Sequence, residues 1–117
     1  MSIQGYSISM KDKVLQELKT VSDPEISLDI VELGLIYDIS FEESTPFANE
    51  SVVMTKCNII MTLTTAWCPV AQEMPVWVRD AAMRVSGVDS CEVTVTFEPP
   101  WTHDSISEAG KLELGLV

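Results

Sequence analysis

Apolar residues at Met10, Val14, Leu18 and Val21 recur at helical spacing, and Ser9, three residues ahead of Asp12, supplies an N-cap. This predicts an amphipathic helix with one buried face. Ser22-Asp23-Pro24 ends it, because proline drives the residue before it out of helical backbone. Residues 22–33 then read as a structured loop. Past Gly34, Leu35, Tyr37, Ile39 and Phe41 alternate with partly polar neighbours, as in a half-buried strand. Residues 43–50 carry turn formers and charge, and form a long hairpin loop. In 51–64, Val53, Thr55, Cys57, Ile59, Met61 and Leu63 share an inward face, while Lys56, Asn58, Thr62 and Thr64 share the outward one. Pro69 suits the first position of a second helix that begins near Cys68. Its buried stripe is Val70, Met74, Val78, Ala81, Ala82 and Val85, and Pro75 predicts a kink. Ser86-Gly87 stops that helix. Cys91, Val93, Val95 and Phe97 form the inward face of a third strand closed by Pro99-Pro100. Ser105 with Glu108 reads as a capping box opening a short terminal helix, weakened by Gly110.

The order helix-strand-strand-helix-strand-helix predicts an α+β fold, a small three-stranded mixed sheet covered by helices. The second and third strands run parallel through the right-handed helical crossover between them. With 117 residues, 46% of them hydrophobic, the chain suits one core without staples. A loose N-terminal arm over 1–9 and a single domain over 10–117 are expected. Seven Lys plus Arg against 18 Asp plus Glu leave a net charge of −11, which argues against nucleic acid and anionic membrane as partners. The sequence shows no export signal or membrane span. Three cysteines without a Cys-x-x-Cys motif fit neither a disulfide scaffold nor a structural zinc site, so a reducing cytoplasm is the expected location.

Cys57 and Cys91 fall in phase with the core faces of their strands, where shielded thiols are the ordinary outcome. Cys68 differs. It sits in a strand-to-helix turn, where free backbone N–H groups and the helix dipole favour thiolate. A helix-capping or gap-filling role under Trp67 stays open beside the reactive one. His103, the single histidine, is a base for a Cys68-His103 dyad or a surface residue after the Trp101-Thr102 corner. Asp23, Glu25 and Asp29 form an acidic cluster that serves turn capping or acid-base work. Trp101 beside Pro99-Pro100 seals a core edge or stacks on a partner. The five glycines form neither a Walker loop nor a dinucleotide fingerprint.

Asp23-Pro24-Glu25-Ile26, Val31-Glu32-Leu33-Gly34-Leu35-Ile36-Tyr37, Met61-Thr62-Leu63-Thr64 leading into Cys68-Pro69, and Pro99-Pro100-Trp101 together resemble the SufT/PaaD-type family of iron-sulfur cluster maturation factors. The resemblance runs from about Lys11 to Val117. It implies a non-enzymatic accessory role in assembling or delivering iron-sulfur clusters. Cys68 would be the functional thiol and transient cluster contact, with Asp23 near it and Thr64 shaping the turn; Glu25, Trp67, Trp101 and His103 complete the supporting set. No stably bound cofactor is expected, since one thiol cannot supply the four cysteines a cluster normally takes. Implied partners are assembly or carrier proteins and client apoproteins, and a homodimer stays open. Three positions depart from the family pattern: Ala66-Trp67 stands where proline and a small residue are usual, Pro75 is unexpected, and Glu98 replaces a common aspartate. The absence of a cysteine-bearing C-terminal extension favours the SufT-like branch. Two rival functions remain: a hydrolase or transferase using Cys68, His103 and Asp23, and a purely structural interaction module.

Overall fold

The computed structural model describes residues 9–23, 26, 28–45, 53–64 and 73–115. Helix α1 (Met10–Leu18) starts where Ser9 Oγ accepts from the Asp12 amide at 3.1 Å, and it buries Val14 and Leu18 as the apolar stripe requires. Strands β1 (Ile36–Ser44) and β2 (Met54–Met61) pair antiparallel, and β2 pairs parallel with β3 (Ser90–Val95). The order β1-β2-β3 makes β2 the central strand. The mixed three-stranded sheet and its element order match the expectation from sequence.

One face of the sheet carries the core. Cys57, Ile59 and Met61 of β2 are buried together with Val14 and Leu18 of α1, and with Val78, Ala81 and Ala82 of α2 (Met74–Met83). The opposite face meets solvent, where Lys56 and Glu92 form an ion pair across β2 and β3 at 2.6 Å. The paired charge holds the Lys56 ammonium above its ordinary range and the Glu92 carboxyl below its own, each through their hydrogen bond first. Both side chains are well exposed, so the pair adds little to stability.

Helix α2 corrects the expectation of a kink. It begins at Met74 rather than near Cys68, so Pro75 occupies its first turn, where a missing N–H costs nothing. The stripe Met74, Val78, Ala81, Ala82 and Val85 is buried as expected, while Val70 lies outside the described residues. Arg84, at the end of α2, reaches α1: its Nε donates to Glu17 Oε1 at 2.9 Å and a terminal nitrogen to Thr20 Oγ1 at 2.8 Å.

The C-terminal segment differs more. Thr102 and Ser105 cap a short 3-10 turn over His103–Ser105, and the N-cap of α3 (Glu108–Leu114) is Ser107, whose Oγ accepts from the Gly110 amide at 3.0 Å. The expected N-cap at Ser105 therefore lies two residues ahead of the observed one. Gly110 does not loosen this helix. A Cβ there would meet Ile106 at 2.9 Å and Leu28 at 3.0 Å, so the missing side chain lets α3 lie close against the loop before β1.

Several bonds fasten this tail to 28–37. The Trp101 indole N–H donates to the Leu33 carbonyl at 2.7 Å, Tyr37 Oη donates to the Pro99 carbonyl at 2.7 Å, and the Ser107 amide donates to the Glu32 carbonyl at 2.8 Å. The Ser107 hydroxyl also bonds the Glu32 carboxylate. Gly34 lies directly against the Ser105 carbonyl at φ +77°, where a Cβ would collide with that oxygen. Gly34→Ala is expected to destabilise the fold by at least about 2 kcal/mol, through left-handed strain plus the collision. Trp101→Phe, which removes one half-buried donor, should cost about 1 kcal/mol. Urea midpoints of the two variants check this; a larger loss for Trp101→Phe than for Gly34→Ala would contradict the packing described.

Candidate functional site at the end of the central strand

The chain leaves β2 at Met61, and the next residues are held by their neighbours on both sides. The Thr62 amide donates to the Leu35 carbonyl at 2.8 Å, and the Thr96 amide donates to the Met61 carbonyl at 2.8 Å. Backbone bonds continue outward from there: the Leu35 amide donates to the Ile30 carbonyl at 3.1 Å, and the Ile30 amide to the Val21 carbonyl at 3.0 Å. This ladder ties the end of β2 to the acidic loop.

Two carboxylates of that loop organise it. Asp29 Oδ1 accepts from the amides of Val31 and Glu32, each at 2.9 Å, which assigns it the capping role. Asp23 is 3% exposed; its Oδ1 accepts from the Ile26 amide at 3.1 Å, and its own amide donates to the Leu28 carbonyl at 2.9 Å. A buried carboxylate is held only where hydrogen bonds offset its lost hydration. Glu25, the third acid of the cluster, lies outside the described residues, as do Trp67 and Cys68. The geometry of a Cys68-His103 dyad is therefore undescribed as well.

The other named residues are placed as follows. Thr64 is half-buried three residues past the end of β2. Trp101 is half-buried and hydrogen-bonded, an anchor of the tail. His103 is exposed, its ring edge-on to Trp101 with centroids 5.5 Å apart.

Thr62 was missed from sequence. Strand alternation puts it on the solvent face, yet it is fully buried just past the end of β2, where its amide is bonded to the Leu35 carbonyl. Its hydroxyl has no hydrogen-bond partner among the described residues. Such a group is costly to bury, and the residues around active or binding surfaces are where this cost is commonly tolerated. Beside the same loop, a shallow groove between the end of α1 and α2 is lined by Thr20, Val21, Ser22, Trp77, Asp80 and Arg84. Val76 and Trp77, on the outer side of α2, are both exposed.

The family model described as iron-sulfur cluster assembly protein matches residues 11–95. The chain belongs to that family. It is 34% identical over 108 residues to the Fe-S protein maturation auxiliary factor YitW of Bacillus subtilis, covering 92% of this chain and 96% of that one. It is 33% identical to the Fe-S protein maturation auxiliary factor SufT of Staphylococcus aureus, covering 82% of this chain and 98% of that one. Among solved structures, a domain of unknown function from Bacillus anthracis superposes with a TM-score of 0.76 at 32% identity, covering 92% of this chain and 93% of that one.

Thr62→Val, which replaces the unpartnered hydroxyl with a methyl of similar shape, is expected to raise stability by about 1 kcal/mol. Denaturant unfolding checks the sign. A loss of stability would show that the hydroxyl has a partner in the folded protein.

Proposed function

We propose that the protein is a non-enzymatic accessory factor in iron-sulfur cluster assembly or delivery, in which Cys68 is the thiol that contacts the cluster in transit. The observation that carries the accessory role is similarity along nearly the whole chain to proteins named as Fe-S protein maturation auxiliary factors. An iron-sulfur cluster carrier protein of Synechocystis also matches, at 32% identity over 76% of this chain and 22% of the carrier.

The assignment of Cys68 rests on its place in the sequence. It follows the buried Thr62 by six residues and opens the segment that leads into α2. It stands four positions past Thr64, and four residue steps of chain span at most about 14 Å. A thiol in that position serves a surface built from the end of β2 and the loop that holds Asp23 and, in sequence, Glu25. In this reading Asp23 positions the loop, Thr64 supports the turn, and Trp67 covers the thiol. Trp101 and His103 act at one remove, by anchoring the C-terminal segment against 28–37.

Among the described residues no three His, Cys, Asp or Glu side chains gather as a metal site. Soft thiolate suits iron-sulfur species, and one Cys68 leaves most of a cluster's coordination to other ligands. The remaining ligands come from a carrier, a client apoprotein or a second copy of this chain. Transfer is then ligand exchange: an iron–sulfur bond to the donor breaks as one to Cys68 forms, with no net electron transfer. No helix among the described residues is long and apolar enough to cross a membrane, and the reading places the protein in the cytoplasm.

In a strain lacking this protein, Cys68→Ala is expected to restore client iron-sulfur enzyme activity no better than an empty vector, while wild type restores it. Full restoration by Cys68→Ala would remove the thiol from the mechanism. Anaerobic reconstitution with iron counting adds a second check: a stable, fully occupied cluster on a demonstrated monomer would overturn the transient reading.

A further inference from the structure

The other two cysteines are not independent core residues. Cys57 of the central strand and Cys91 of β3 are direct partners in the parallel register. Side chains of paired residues in adjacent strands project from the same face, with the strands about 4.8 Å apart. That spacing falls within the roughly 4.4–6.8 Å between Cα atoms that a disulfide spans. Both thiols are free. Cys57 is fully buried, whereas Cys91 lies on an outer strand and is only half-buried. The pair therefore joins a fully buried residue of the central strand to a partly exposed one on an outer strand.

We propose that Cys57 and Cys91 form a second thiol site, a cross-strand dithiol that reduces low-molecular-weight disulfides of the glutathione type and closes into a Cys57–Cys91 disulfide. Cys91 is the attacking sulfur and Cys57 the resolving one. In the first step the Cys91 thiolate attacks one sulfur of the small disulfide; a mixed disulfide forms at Cys91 and one small thiolate leaves. In the second step Cys57 sulfur attacks Cys91 sulfur as the second small thiol departs with the Cys57 proton. Two protein thiols are oxidised, and one small disulfide is reduced to two thiols.

The electrostatics of the pair fit this division. The neighbouring Cys57 thiol first, and the positive charge of Arg79 against the opposing effect of burial, hold the Cys91 thiol below its ordinary range. Its partner is driven the other way, by the adjoining Cys91 first and by burial second, so Cys57 stays protonated.

This site stands apart from the Cys68 reading, and the test keeps them separate. Full-length Cys68→Ser protein is incubated with glutathione disulfide, quenched in acid and mapped by mass spectrometry. The expected product is a Cys57–Cys91 linked peptide pair, with two glutathiones released per chain and reversal by dithiothreitol. In a Cys57→Ala background glutathione should remain on Cys91. Glutathione that persists on Cys91 while Cys57 is present, or a link that forms only after unfolding, overturns the proposal. Should Cys57→Ala fail to fold, limited alkylation of the native protein decides: Cys91 is expected to react at least roughly tenfold faster than Cys57, and equal rates would overturn the assignment.

Discussion

The parallel pairing of β2 with β3 is the constraint on which the rest of this molecule depends. A parallel neighbour requires a crossover, and here the crossover returns through α2, which lays Val78, Ala81 and Ala82 over the face where β2 buries Cys57, Ile59 and Met61. With β1 on the other side, β2 has no free edge and one fully covered face. The uncovered face is left to exposed charge pairs such as Lys56 with Glu92. Such a sheet is too small to stand by its surface interactions, and its stability rests on this one-sided core.

Polar groups are buried where that core ends. Past Met61 the chain is bonded to the Leu35 carbonyl, and Thr62 is buried with a hydroxyl that has no partner among the described residues. The loop bonded to this segment holds the buried Asp23 and is capped by Asp29. The C-terminal segment then clamps the same stretch from outside, with the Trp101 indole on the Leu33 carbonyl and Gly34 against Ser105. The tail is thus a brace for the loop. Among its described residues Leu112 is a large apolar side chain that stands exposed, whereas Ile106 is buried and Trp101 is half-buried.

The three thiols divide along the central strand. Cys57 lies four residues before the end of β2 and faces Cys91, whereas Cys68 belongs to the segment beyond that end. Two different chemistries can therefore occupy one small acidic domain, since the dithiol lies within the sheet and Cys68 is outside it in sequence. The expectation that the core shields both Cys57 and Cys91 holds fully for the first and in part for the second: β3 is an outer strand, so the same inward phase buries Cys57 fully and Cys91 only in part.

Period and punctuation in the sequence determined the element order, the inward faces of α1, α2 and β2, and the Ser9 cap, because each is set by local backbone geometry and by burial of a single stripe. The four separated motifs were likewise enough to indicate the family. Tertiary structure alone decided the remainder. Pro75 reads as a kink until the start of α2 is known, and Gly110 reads as a weakness until Leu28 and Ile106 are seen against it. Thr62 follows the alternation of a solvent-facing residue, but burial past the end of a strand depends on which distant residues pack there. Cys57 and Cys91 stand 34 positions apart, and only the parallel register makes them neighbours. These features arise from contacts between residues remote in sequence, whose energies leave no mark on local spacing.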